Sequence, residues 1–203
     1  ERDQPNRAVR LRICYEGSGA GYMVGHNLRA AAWGYLFRRE SLGELRFVTG
    51  IFHEDEAFTP RLWLQAKHVC VTSLPVYAYY QRSDSIVHVS SREQLEKRMA
   101  DLRQVLVGLK QEPVGNALQQ QALRRRMETL ASDVWWRLVC ESPDTAFLRC
   151  QLGWFREAGF YPLPLRFYTL RYILMYIGSQ CGMVSVFLNR MSHLKQLFSS
   201  KNQ

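Results

Sequence analysis

The chain has 203 residues, 47% of them hydrophobic, and a formal net charge of +9. That length supports a real core as one large domain or two small ones, and the charge favours an anionic partner: nucleic acid, an acidic membrane face or a phosphorylated small molecule. Five cysteines with no C-x-x-C pair argue against a disulfide framework or a zinc site, and for reduced thiols in a cytoplasmic setting.

Arginine dominates the basic residues: 27 Lys+Arg less five lysines leaves 22. Its planar fork suits bidentate phosphate and carboxylate contacts. The first residues are polar and charged, so no signal peptide opens the chain. A start at Glu1-Arg2-Asp3, without methionine, reads as a piece of something longer.

Val9 to Tyr15 alternates apolar and basic residues and predicts a half-buried strand. Gly17-Ser18-Gly19-Ala20-Gly21 follows, but the third glycine of a dinucleotide loop is missing, since Tyr22 and Val24 hold the two possible places. A flexible or tight turn is expected there. Asn27 to Ala32 looks helical. Trp33, Tyr35 and Phe37 share one face at a period of two, as in a strand covering the core or a platform for a sugar or base.

Arg46 to Phe58 is the most unusual stretch, because Glu54, Asp55 and Glu56 follow His53 inside an apolar frame of Phe47, Ile51, Phe52 and Phe58. Glu56 to Gln65 has helical spacing, so the carboxylates fall near a helix N-terminus, where the macrodipole favours them. A solvated helix start and a carboxylate held for proton transfer both fit. Val69–Thr72 and Val76–Tyr80 predict two strands, and a polar loop follows them.

Beyond residue 90 the pattern is helical. Ser91 with Gln94 resembles a capping box, ahead of a helix over 92–110 with Leu95, Met99, Leu102, Leu106 and Leu109 inward. Further helices are predicted over 116–140, 144–157 and 165–198. Arg124-Arg125-Arg126 reads as the solvated face of the second. From Thr145 to Gln203 there are seven Lys/Arg against the single acid Glu157, a surplus of six. The 165–198 segment is too polar in its middle for a spanning helix and fits amphipathic helices, docked on the domain or on an anionic bilayer surface.

Several common sites are missing. His53-Glu54-Asp55-Glu56-Ala57 begins like a zinc-protease helix but has no histidine at position 57. No nucleophile elbow, Walker loop or nucleic-acid recognition module appears, so no specific nucleic acid is expected.

Three blocks taken together, W-G-Y-L-F-R-R-E-S-L (33–42), L-R-F-x-x-G-I-F-H-E-D-E-A-F (45–58) and P-V-Y-A-Y-Y-Q-R-x-x-S-I (75–86), resemble the C-terminal half of a family 2 glycosyltransferase of the GT-A fold. The likeness spans roughly residues 28–90. It implies an α/β (α+β) fold: a partial GT-A-like strand and helix unit over 1–90, followed by a mainly helical region over 91–203. It implies inverting transfer from a nucleotide sugar to a glycan acceptor, in bacterial polysaccharide or other glycan synthesis. Asp55 matches the family's general base, and Glu54 matches the neighbour that orients acceptor or base. Trp33, His53, Arg82 and Ser85 fall at substrate-binding positions, with Arg82 and Ser85 in the loop that closes over the diphosphate. The family's D-x-D motif, which holds manganese or magnesium in the complete enzyme, has no counterpart here, so no cofactor is expected in this chain and little activity from it alone. The resemblance and the charge place the protein in the cytoplasm, at the inner face of the membrane. The competing expectation is a non-catalytic basic helical module that binds a protein partner, an anionic membrane or nucleic acid.

Overall fold

A computed structural model describes residues 12–75, 77, 78, 80 and 91–180. These residues form a mixed α/β structure: strand β1 (Ile13–Gly17), helix α1 (Gly19–Gly25), a 3-10 turn (Arg39–Leu42), α2 (Glu54–Gln65), β2 (Val69–Thr72), α3 (Arg92–Lys110), α4 (Ala117–Glu141), α5 (Thr145–Glu157) and α6 (Leu170–Gln180). The two strands pair antiparallel, with Glu16 opposite Cys70 and an irregularity between Ile13 and Tyr15. Cys14, Cys70, Cys140 and Cys150 carry no disulfide.

The helices begin where side chains satisfy their unpaired N–H groups. Ser91 accepts from Gln94 N, Asn116 from Gln119 N and Asp144 from Phe147 N. On α3, each of the apolar positions marked by helical spacing is inside, from Leu95 at 3% exposure to Leu106 and Leu109 at 0%. Helix α4 is the hub, touching α1, α2, α3, α5 and α6. One core runs through the whole set, with Met23 of α1, Trp63 of α2, Leu106 of α3, Trp135 of α4, Phe155 of α5 and Met175 of α6 in it.

Several local expectations are corrected. The glycine-rich stretch after β1 is a capped helix rather than a turn: Ser18 accepts from Gly21 N, and α1 starts at Gly19. Gly19 is there for close approach. Its N–H donates to Ala66 O at 2.9 Å, and a Cβ on it would lie 2.0 Å from Trp63 O. Gly19→Ala should therefore cost about 3 kcal/mol or more in urea unfolding. Gly25→Ala, with nothing within 4 Å of its Cβ, should stay within about 1 kcal/mol of the parent.

Asn27 to Ala32 is irregular rather than helical. Its carbonyls are taken by donors from elsewhere in the fold: Arg126 Nη1 donates to Leu28 O at 2.8 Å, Thr59 Oγ1 to Ala31 O at 3.4 Å, and the Tyr35 hydroxyl to Arg29 O. Tertiary bonds outcompete the local ladder. Trp33 to Phe37 joins no strand: the chain bends at 32–34, with Gly34 at φ 85°, and Trp33 and Tyr35 turn partly inward while Phe37 is 41% exposed. In the Val76–Tyr80 segment, Val76 and Tyr79 lie outside the described residues. The described Tyr77, Ala78 and Tyr80 form no strand, and Tyr77 stacks on Trp33 with centroids 4.9 Å apart.

Of the Arg124-Arg125-Arg126 run only Arg124 is exposed as a solvated face; Arg125 and Arg126 are not. Arg126 is 6% exposed, and Arg125 donates to Val24 O at 2.7 Å and to Asn27 Oδ1 at 3.0 Å. Helix α4 turns these side chains inward because its neighbours α1 and the 27–32 segment offer acceptors. The last helix starts at Leu170, with Thr169 Oγ1 accepting from Tyr172 N at 3.0 Å. Residues 181–198 of that predicted segment lie outside the described residues. Among the described residues no helix is long and apolar enough to cross a membrane.

Candidate functional site

The acidic stretch is positioned by α3. Asp101, 6% exposed, accepts from Phe52 N at 2.8 Å, and Lys97 Nζ donates to Gly50 O at 3.1 Å and ion-pairs with Asp101 at 3.0 Å. The cationic groups of Lys97 and Arg98 lie 5.6 and 5.1 Å from the Phe52 ring centroid. This clamp fixes the turn into α2. His53 sits ahead of the helix in the left-handed region, at φ 65° and ψ 35°, an uncommon conformation for a residue with a Cβ.

Glu54, Asp55 and Glu56 form the first turn of α2. The fold makes them unequal. Glu56 is committed to a structural ion pair with Arg126, a buried cation that burial pushes below the usual guanidinium range. Asp55 Oδ1 accepts from Glu56 N at 2.9 Å. Burial, followed by the charge of Glu54, raises the Asp55 pKa above the ordinary carboxylate value; a bond from its own backbone N–H and the charge of Arg126 oppose the rise without cancelling it. Tyr35 lies close enough to feel Asp55 and Arg126, and burial pushes its phenol up to about 12. Glu54 stands beside Asp55 as its electrostatic neighbour.

His53 faces a cleft of about 430 Å³ between α2, α3 and α4, which Glu56, Asp133, Arg137 and Arg171 also line. Its Nε2 is buried with no hydrogen-bond partner. Burial, then Arg137 and Arg98, lower its pKa to about 4 against the opposing pull of Asp101. The imidazole is thus neutral at physiological pH. Because the folded value lies below the unfolded 6.5, this group's contribution is fully present above pH 6.5 and is lost as pH falls towards about 4. The interval corresponds to about 3 kcal/mol. His53→Asn, which tolerates the left-handed backbone, should remove most of that acid sensitivity, read as urea stability at pH 7 and pH 4.

The aromatic neighbours come from all three sequence blocks. Phe47 stacks on Phe58 at 4.0 Å, and Phe37 lies 6.5 Å from the same ring. Trp33 stacks on Tyr77, with the Arg29 guanidinium 4.9 Å from its ring centroid. Tyr35, two residues on, connects this aromatic group to the carboxylates. Arg82 and Ser85 lie outside the described residues.

Of the residues that α4 contributes, Asp133, Arg137 and Glu141 were not singled out from sequence, and Arg126 was expected on a solvated face. Arg126, Asp133, Arg137 and Glu141 recur at helical intervals with the apolar Leu130 and Val134 between them, and all but Arg126 line the larger cleft. A charge repeated along an apolar stripe was the available signal. Arg126 and Asp133 also line a smaller cavity of about 80 Å³ with Thr169 and Tyr172. Asp133 pairs with Arg171 at 2.8 Å, and Arg171 lies 5.4 Å from the Trp136 ring centroid. Among the described residues, no group of three or more His, Cys, Asp or Glu is placed to hold a metal ion. The chain matches no protein-family model, no curated protein and no solved structure.

Proposed function

We propose that this chain carries the acceptor side and the general base of an inverting glycosyltransferase similar to family 2. The observation that supports this best is the state of Asp55, a half-buried carboxylate with raised proton affinity, held by one backbone N–H and free of the ion pair that occupies Glu56. A carboxylate of raised proton affinity is a better proton acceptor than a solvated one.

In the proposed step Asp55 takes the proton of an acceptor hydroxyl. The hydroxyl oxygen bonds to the anomeric carbon of the nucleotide sugar, and the bond from that carbon to the diphosphate oxygen breaks. The nucleoside diphosphate leaves with the electron pair, and Asp55 later releases its proton to solvent. Glu54 favours the step by raising the Asp55 pKa. Trp33 and Tyr77, stacked together, offer an aromatic edge for a sugar. The manganese or magnesium of a complete enzyme neutralises the diphosphate when bound. Among the described residues no group of three or more His, Cys, Asp or Glu is placed to hold it.

The test is transfer from a panel of nucleotide sugars, with manganese, to glycan acceptors by the complete enzyme. Trp33→Ala should raise the acceptor KM several-fold while leaving the donor KM unchanged. An enzyme that turns over no member of the panel, or one whose acceptor KM ignores Trp33, would end this reading.

A further inference from the structure

Helix α6 is apolar on both sides. Tyr172, Met175 and Ser179 form its inner face, at 2%, 0% and 3% exposure, and pack into the core. Leu170, Leu174 and Ile177, spaced four and three residues apart, form one outward stripe, at 74%, 50% and 51% exposure. Phe167, just ahead of the helix, continues the stripe at 80% exposure, and Leu165 is 49% exposed. A surface helix ordinarily turns charged and polar residues outward, so a continuous apolar ridge calls for a partner.

The surrounding charge indicates which partner. From Ala158 to Gln203 the sequence has five Lys/Arg (Arg166, Arg171, Arg190, Lys195 and Lys201) and no Asp or Glu. Arg166 and Arg171 flank the start of the ridge, 39% and 50% exposed, and are anchored by Glu128 and Asp133. Apolar side chains that project outward beside a one-signed cationic segment suit a layer with an anionic surface and an apolar interior. A second copy suits the ridge less well, since each chain carries a formal net charge of +9 and two copies packed face to face repel.

We propose that the Phe167–Leu170–Leu174–Ile177 ridge seats the protein in the plane of an anionic bilayer surface. Helix α6 lies in the headgroup layer with its Tyr172 and Met175 face still on the core. The proposal stands independently of the glycosyl-transfer function.

The experiment is flotation of the full chain with vesicles of phosphatidylcholine and phosphatidylglycerol in equal amounts, and with pure phosphatidylcholine. The protein should float with the mixed vesicles, several-fold less with the neutral ones, and several-fold less again when salt shortens the screening length to about 3 Å. Leu170→Glu with Leu174→Glu should reduce binding about tenfold or more. Both side chains point outward, so the thermal midpoint should be unchanged. Absence of flotation on anionic vesicles overturns the proposal, as does equal binding to neutral vesicles or undiminished binding of the double variant. Sedimentation showing a dimer that the double variant abolishes, without flotation, would assign the ridge to a second copy instead.

Discussion

On the proposed reaction, Asp55→Asn should lower sugar transfer by about 10²- to 10⁴-fold while leaving the fold and its urea midpoint intact. Asparagine keeps the shape and can still accept from Glu56 N, so the loss reports the missing proton acceptor and little else. It should also relieve the crowding between Asp55 and Glu54, which makes any stability change favourable in sign. The pH profile gives a second check. Activity needs the ionised carboxylate, so it should fall as pH drops through the Asp55 pKa, on an acid limb that lies above the ordinary carboxylate range. Stability runs the other way: a raised pKa favours the folded state at low pH, and that contribution fades as pH rises through the folded value. Full transfer by the asparagine variant would remove Asp55 as the base.

Arg126→Met should destabilise the chain by about 3–5 kcal/mol. Arg126 bridges two parts of the fold from α4, with one guanidinium nitrogen on Leu28 O at 2.8 Å and the other on Glu56. Losing it strands a half-buried carboxylate and a buried carbonyl. Much of that cost comes from leaving Glu56 unpaired, so adding Glu56→Gln should recover a good part of it; simple addition of the two single effects would show that the pair is not coupled. Arg126 also pulls the Asp55 pKa down. Its loss should move the acid limb of the rate profile to higher pH, provided the variant is assayed where it is still folded.

The coupling of Arg126 to Asp55 shows where sequence reading stops. Helical spacing located α3, α4 and α5 and the inward face of α3, because the period and the caps at Ser91, Asn116 and Asp144 are local properties. The acidic start of α2 was legible for the same reason. The segment from Asn27 to Phe37 was not. Its local preferences point to helix and strand, whereas its backbone is held by Arg126, Thr59 and Tyr35. Nor does the sequence show that Gly19 is required by a carbonyl on a different helix.

By itself, then, the sequence determined that α3, α4 and α5 are helical and where they start, and that three carboxylates follow His53 in an apolar frame. Only the tertiary structure made those carboxylates different. Glu56 is neutralised by an arginine 70 positions away, Asp55 is partly desolvated beside Glu54, and His53 is held neutral by burial among cations. Ionisation depends on solvent and on charges brought from distant parts of the chain. Helical periodicity does not encode those distances; the packing of α2 and α3 against α4 sets them.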